Sequence, residues 1–129
     1  MTLIDRIRGV IPGWELPKIG RARYHLSQVY GIALDYFSEA LHEMRKESLV
    51  GEVGRHVEIL GNATIRDERA VKKIVGAFIK LLFPNLEFDK RELQAVVQYA
   101  VELRQRVRDW LHKLSPGEFP REELSYKVR

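Results

Sequence analysis

The sequence contains no cysteine, and this one absence excludes several kinds of site. The chain cannot form a disulfide scaffold, a Cys-ligated zinc site, an iron–sulfur cluster or a thiol nucleophile. Long apolar runs are absent too, since no stretch approaches the roughly 20 apolar residues of a transmembrane helix. The first residues carry charges at Asp5, Arg6 and Arg8, so they lack the apolar core of a signal peptide. We therefore predict a cytoplasmic protein that does not contact a membrane.

Recognisable catalytic motifs are absent as well. No G-x-x-x-x-G-K-[ST] string occurs, so the chain has no Walker A loop, and we identify no Walker B segment. The four histidines share no metal-ligand spacing, and no serine stands in a nucleophile elbow or a Ser–Lys peptidase pattern. We predict that this chain has no metal site and no enzymatic activity of its own.

The composition is that of one globular domain. The chain has 129 residues, of which 45% are hydrophobic and 31% are charged. Lys and Arg number 22 against 18 Asp and Glu, which gives a formal net charge of +4. A mild positive excess permits acidic partners such as nucleic acid or nucleotide phosphates, but it does not establish them.

Three long amphipathic helices dominate the hydrophobic pattern. Apolar residues recur at steps of three and four over residues 24–47, 65–83 and 90–114. Residues 48–63 are rich in glycine and indicate a connector with room for one short helix. No pair of strands is indicated. We therefore predict an all-α bundle of three long helices, preceded by a short irregular segment over residues 1–20.

Capping residues mark where the second and third helices begin. Thr64 is a candidate N-cap of the second helix, and Asp67 follows in its first turn. Asp89 and Glu92 have the spacing of an N-cap and its N3 partner at the start of the third helix. Pro84 ends the second helix.

A basic face runs along the second predicted helix, opposite its apolar stripe. Arg66, Arg69, Lys73 and Lys80 lie on this face. It is either a surface that binds phosphate or nucleic acid, or a solvated face, or a partner of the acidic row on the first helix.

Arg104 falls inside the apolar stripe of the third predicted helix. A guanidinium in that position needs a partner, because an unpaired buried charge is strongly destabilising. Arg104 is either a core arginine that pairs with carbonyl or carboxylate oxygens, or an arginine that points into an interface or a nucleic-acid site.

Three strings carry a family resemblance, in the order IDRIRGVIPGWELPK, GIALDYFSEALHEMRK and RDERAVKKIVGAFIKLLFPNLEFDKRELQAVVQYAVELRQRV. Over roughly residues 3–111 the chain resembles the Lon-like AAA+ ATPases of BREX phage-defence systems, the BrxL family. The resemblance covers the end of the AAA+ core and the helical lid. It implies that residues 1–20 are a remnant of the core and linker, that 21–114 form the lid-like domain, and that 115–129 form a tail or a link to a missing Lon-like domain.

The resemblance also assigns roles to three arginines. Ile4-Asp5-Arg6-Ile7 is similar to the S-R-F-D segment of related ring ATPases, which makes Arg6 a candidate arginine finger. The serine of that segment is replaced by Asp5, and a salt bridge from Arg6 to a nearby carboxylate is the alternative. The segment from Thr64 to Arg69 is similar to the V-R-x-L-E opening of the lid. Arg66 then falls on the sensor-2 arginine that contacts ATP phosphate, and Arg69 is the reserve candidate.

The family implies a function for the parent rather than for this chain alone. We expect a lid that couples the ATP state to assembly of a hexameric ring and to engagement of DNA in phage defence. ATP with Mg²⁺ would bind in the parent ring, and this fragment alone would bind neither. The partners implied are the rest of the motor, the neighbouring subunits and DNA, and the isolated fragment would self-associate. The alternative is a stand-alone basic helical module that binds nucleic acid or a protein.

Overall fold

A computed structural model describes residues 2–20 and 27–129 of the chain. In this part the chain forms five α-helices, two β-strands and one 3-10 turn at Gly13–Glu15. The elements are, in chain order, α1 (Thr2–Asp5), α2 (Leu34–Met44), α3 (Val50–His56), β1 (Val57–Leu60), α4 (Ile65–Leu82), α5 (Lys90–Leu114) and β2 (Ser125–Val128). The chain divides into two compact units, one of Met1–Val10 with Ser48–Arg129 and one of Ile11–Glu47.

The core of the first unit lies between α4 and α5, with α3 and β1 closing it. Both long helices contribute a stripe of apolar residues at steps of three and four, which is the pattern that buries one helix face. The buried cluster comprises Val53, Val57, Val71, Val75, Ile79, Leu93, Val96, Val97, Ala100 and Val101. This packing fixes the faces of α4 and α5 that carry the charged residues described below.

The two long helices of this unit begin where the capping residues predict. At the start of α4 the Thr64 hydroxyl accepts the Asp67 N–H, and the Asp67 carboxylate accepts the Thr64 N–H. Asp89 and Glu92 form the same reciprocal capping box at the start of α5. The predictions for residues 65–83 and 90–114 are confirmed, apart from one residue at the end of α4.

The prediction of an all-α fold is wrong, because β1 and β2 form a two-stranded antiparallel sheet. Val57 lies opposite Val128, and Ile59 lies opposite Tyr126. These apolar residues alternate with polar ones, so one face of the sheet packs against the core. Each strand has only four residues, which is too short for the alternation to stand out in the sequence.

The Gln105 side chain of α5 attaches the segment that leads into β2. The amide group of Gln105 donates to the carbonyl oxygen of Glu122 at 3.0 Å and accepts the Leu124 N–H at 2.8 Å. The range 115–129 therefore contains a strand paired within the first unit. The division at residues 20 and 114 stays a prediction.

The second unit contains a much shorter helix than predicted. A helix over 24–47 is wrong for the described residues 27–33, which are not helical, and residues 24–26 lie outside the described part. The Ser27 hydroxyl accepts the Val29 N–H at 3.2 Å and donates to the Val29 carbonyl, a local turn that competes with helix formation. Helix α2 has no buried residue. Across both described ranges, none of the helices is long and apolar enough to cross a membrane.

Candidate functional site: a basic depression

An open depression of about 290 Å³ lies on the first unit, between α4 and the segment that follows α1. We call it the basic depression, because arginine and lysine supply most of its lining. It is lined by Asp5, Arg6, Arg8, Arg66, Arg69, Ala70, Lys73 and Arg104.

Chain geometry explains why these cations converge. Arg66, Arg69 and Lys73 are spaced three and four residues apart along α4, so they lie on one helix face. Arg6 lies in the turn that ends α1, Arg8 follows two residues later, and both line the depression. All five residues are exposed.

Most of these cations have no partner within the described part of the chain. The side chains of Arg6, Arg8, Arg69 and Lys73 make no hydrogen bond or ion pair there. Arg66 is half-exposed and donates to the carboxylate of Asp5. Cations held close together without counter-charges repel one another, so an anion that enters the depression is electrostatically favoured.

Arg104 lies beneath the depression and is only 1% exposed. Its Nε donates to Asp67 Oδ1 and its Nη2 to Asp5 Oδ1, both at 2.8 Å. Its Nη1 donates to two backbone carbonyl oxygens, that of Asp5 at 3.1 Å and that of Ile7. The buried guanidinium is therefore paired with two carboxylates and is hydrogen-bonded in several directions, which is the condition for burying a charge without a large penalty.

Asp67 joins this pair to a second arginine. Its Oδ2 accepts a hydrogen bond from Arg108 Nη1 at 2.9 Å, and Arg108 Nη2 donates to Glu122 at 3.1 Å. Burial by itself would raise the pKa of Asp67. The Thr64 N–H, the Arg104 guanidinium and the Thr64 hydroxyl outweigh burial and hold that pKa below its ordinary value. Asp67 is thus ionised at neutral pH.

The structure brings together five of the six site residues predicted from sequence. Arg6, Arg66, Arg69 and Lys73 all line the basic depression, and Arg104 forms its floor. Lys80 is also on α4 but does not line the depression. The roles assigned to these six residues stay predictions.

Sequence reasoning missed three participants. Arg8 has the i, i+2 relation to Arg6 that could have revealed it. Asp67 was recognised only as a first-turn carboxylate, although its capping-box spacing from Thr64 is a signal that it is fixed in place. Nothing in the sequence indicates that Asp5 accepts hydrogen bonds from both Arg66 and Arg104, because Asp5 lies 61 and 99 residues away from them in the chain.

The depression suits phosphate oxygens. Guanidinium and ammonium groups are the side chains that bind phosphate most strongly in proteins. A search of residues 2–20 and 27–129 finds no group of three or more His, Asp or Glu side chains that could hold a metal ion. The described side chains that line the depression therefore suit an anion with phosphate oxygens.

Comparison with known proteins identifies relatives over almost the whole chain. The model of a family described as "Lon-like protease BrxL-like, ATPase domain" matches residues 1–125. The chain is 38% identical to the Lon-like protease BrxL of Bacillus cereus (strain H3081.97) and 35% identical to that of Escherichia coli O9:H4 (strain HS), each over 125 residues. Both alignments cover 97% of this chain but only 18% of the relative's length. These matches confirm the family that the sequence strings indicate.

Proposed function

Because the chain belongs to the BrxL-like ATPase-domain family, we propose that its basic depression binds the phosphates of an ATP molecule held by other parts of the motor. The chain acts as the lid portion of the ATPase domain, and it does not hydrolyse ATP alone. The observation that carries this proposal is the convergence in one depression of Arg66 and four cations that have no partner among residues 2–20 and 27–129, in a chain without a Walker A loop.

The roles of the individual cations follow from their positions. Arg6 is the candidate arginine finger, whose guanidinium neutralises the charge that develops on the transferred phosphoryl group. Arg66 is the candidate sensor, and Arg69 is its reserve one turn further along α4. Lys73 adds a point charge at the edge of the same depression. ATP, when bound, supplies the phosphoanhydride bond that is cleaved.

Arg66 has a built-in means of sensing phosphate. Without an anion its guanidinium is paired with Asp5, and Asp5 is also an acceptor of Arg104. A phosphate in the depression competes with Asp5 for Arg66, while Arg104 continues to hold Asp5. The exchange of Arg66 between carboxylate and phosphate is the local event that would report the nucleotide state to α4 and α5.

The remaining parts of this function come from the family alone. We propose a hexameric ring, engagement of DNA and a role in phage defence, with ATP and Mg²⁺ as cofactors of the complete motor. The family name supports the ATPase domain, and the basic depression supports a phosphate ligand.

The first test is direct binding of phosphate to the 129-residue chain. NMR titration with sodium tripolyphosphate should shift the resonances of Arg6, Arg66, Arg69 and Lys73 together. Arg66→Ala should weaken binding about tenfold, since a hydrogen bond to a charged group contributes about 1.5–3 kcal/mol. Arg55→Ala is the matched control, because Arg55 is an exposed arginine on α3 away from the depression. Equal effects of the two variants would contradict the proposal.

The second test measures ATP turnover. A chimera of the Escherichia coli relative, in which this chain replaces the matching segment, would be assayed for ATPase activity. We expect Arg6→Ala and Arg66→Ala each to lower turnover by about 100-fold or more with nucleotide binding retained, because an arginine finger contributes about 10³-fold or more. Turnover within about twofold of the unmodified chimera for both variants would exclude the finger and sensor roles.

A second candidate function is an independent basic module that binds nucleic acid. The depression and the net charge of +4 favour it. Duplex DNA binding by the 129-residue chain should then weaken steeply with salt, because neutralised backbone phosphates release counterions. Binding of DNA together with no response to tripolyphosphate would favour this function over the lid.

A further inference from the structure

We propose that Arg104 is a positioning residue that aims Arg6 into the basic depression. The proposal rests on the function proposed above for Arg6. Arg104 Nη1 donates to the carbonyl oxygens of Asp5 and Ile7, the two residues that flank Arg6 in the chain. The Asp5 carbonyl belongs to the peptide group just before Arg6, and the Ile7 carbonyl belongs to the second peptide group after it. Arg104 therefore restrains the backbone on both sides of Arg6 and so limits the directions in which the Arg6 side chain can point.

Only an arginine can make this contact in full. The guanidinium is planar and carries five N–H donors in a fixed fork, so one nitrogen can serve two carbonyls while the others hold two carboxylates. Here Nε and Nη2 are directed at Asp67 and Asp5. Because Arg104 is buried and its donors are directed at these acceptors, it acts on a phosphate through Arg6 rather than by contact.

A second set of contacts holds the same segment further along. The Val10 N–H donates to the carbonyl oxygen of Leu103 at 3.2 Å, and Arg106 donates to the carbonyl oxygen of Val10 at 3.1 Å. At Gly9 the backbone runs so close to α5 that an added Cβ would lie 2.8 Å from the Leu103 Cβ. The stretch from Asp5 to Val10 is therefore docked along one turn of α5, with Arg104 at the end nearest Arg6.

The test replaces Arg104 by a residue that keeps the positive charge but lacks the planar guanidinium group with its several N–H donors. Arg104→Lys retains a cation between Asp5 and Asp67, yet the three donors of one ammonium nitrogen cannot serve all four oxygen atoms that the guanidinium serves. Arg108→Lys is the matched control, because Arg108 is also a largely buried partner of Asp67 but does not touch the Arg6 segment. Both variants disturb the same buried carboxylate, so a difference between them reports the contact with the segment.

Amide hydrogen exchange in the ligand-free chain is the first readout. The Ile7 and Val10 N–H groups are hydrogen-bonded to the carbonyls of Ile4 and Leu103. We expect exchange at both to become at least ~10-fold faster in Arg104→Lys, since charged-donor hydrogen bonds are lost. In Arg108→Lys these two rates should stay within about threefold of the wild type. Equal rates at both amides in the two variants would overturn the proposal, whatever the chain binds.

Coupling to Arg6 is the second readout. Arg6→Ala should weaken tripolyphosphate binding by about tenfold in the wild-type and Arg108→Lys backgrounds, and by less than about twofold in Arg104→Lys. An Arg6→Ala effect that is the same size in all three backgrounds would refute the positioning role. If the wild-type chain does not bind tripolyphosphate, the proposed function fails and the exchange rates alone decide the positioning role.

Gly9→Ala gives an independent route should Arg104→Lys not fold. This variant changes no charge, but its methyl group must push the segment away from Leu103. We expect it to accelerate exchange at Val10 and to reduce the effect of Arg6→Ala in the same way. If the Gly9→Ala chain keeps the wild-type exchange rate at Val10 and the wild-type effect of Arg6→Ala on tripolyphosphate binding, docking of this segment does not aim Arg6.

Discussion

At the scale of single residues, Asp67 and Arg104 form the charged centre of the first unit. Both side chains are almost fully buried. Among the described residues, every buried polar side-chain atom has a hydrogen-bond partner. Burial of Arg104 in the apolar stripe could be read from the helical periodicity. Its partners could not, because Asp5 and Asp67 are brought to it by tertiary packing across 99 and 37 residues.

Asp67→Asn should destabilise the folded chain by about 3 kcal/mol at pH 7, because it leaves two arginines short of a buried counter-charge. The folded-state pKa of Asp67 is lowered, so its ionisation contributes stability above the unfolded-state pKa. That contribution is lost as the pH falls through the lower, folded-state pKa, that is from about pH 4 downward. Urea unfolding from pH 7 to pH 3 measures both effects.

The control for this prediction is Asp109→Asn, which replaces an exposed carboxylate on the same helix. Its free energy of unfolding at pH 7 should stay within about 0.5 kcal/mol of the wild type. If the free energy of unfolding of Asp67→Asn falls with pH as steeply as that of the wild type, Asp67 is not the group responsible for the loss of stability in acid.

Asp5→Asn should strengthen phosphate binding if Asp5 competes with phosphate for Arg66. Removing the negative charge from the depression frees Arg66 and raises the local potential. We expect tripolyphosphate to bind about three- to tenfold more tightly by NMR titration. Glu52→Gln is a suitable control, because Glu52 lies on α3 next to Arg55, outside the depression. Weaker binding in Asp5→Asn would mean that Asp5 organises the site instead of competing in it.

At the scale of elements, the sequence was informative where the pattern was long and capped. The 25 residues of α5 and the 18 of α4 repeat their apolar period several times, and each helix begins with a capping box. Helix α2 was overestimated because an apolar period was followed across Gly31 and the Ser27 turn. The four-residue strands were missed because each one depends on a partner far away in the chain.

Val57→Ala tests the sheet at its most buried residue. Val57 is 1% exposed and contributes to the core, so its truncation should cost about 2 kcal/mol of unfolding free energy. Glu58→Ala is the neighbouring control on the opposite face, where only an exposed pair with Arg129 is lost, at under about 1 kcal/mol. If urea unfolding shows that both variants lose a similar amount of unfolding free energy, the alternation of buried and exposed side chains along β1 is contradicted.

At the scale of the whole molecule, the two units differ in how much they bury. The first unit holds all the buried residues of the described chain, whereas the described residues of the second, 11–20 and 27–47, include none. A helix without a buried face has little tertiary stabilisation, since a short isolated helix is marginal in water. The sequence predicted one continuous lid-like domain over 21–114 and gave no sign of this difference.

Hydrogen exchange should therefore separate the two units. We expect the amides of Leu34–Met44 in α2 to exchange within about tenfold of the unprotected rate, and those of Val97–Val107 in α5 to exchange at least about 1,000-fold more slowly. The comparison uses the 129-residue chain and mass spectrometry or NMR. Strong protection of α2 in a dilute monomeric sample would show that the second unit has stabilising contacts beyond those described.

The attachments along α5 also have a mechanical consequence. Arg104 holds the segment after α1, and the adjacent Gln105 and nearby Arg108 hold the segment before β2. Tension applied from either direction along the chain is therefore transferred to the same turn of one helix. We therefore expect a displacement of one segment to be passed to the other through this turn of α5.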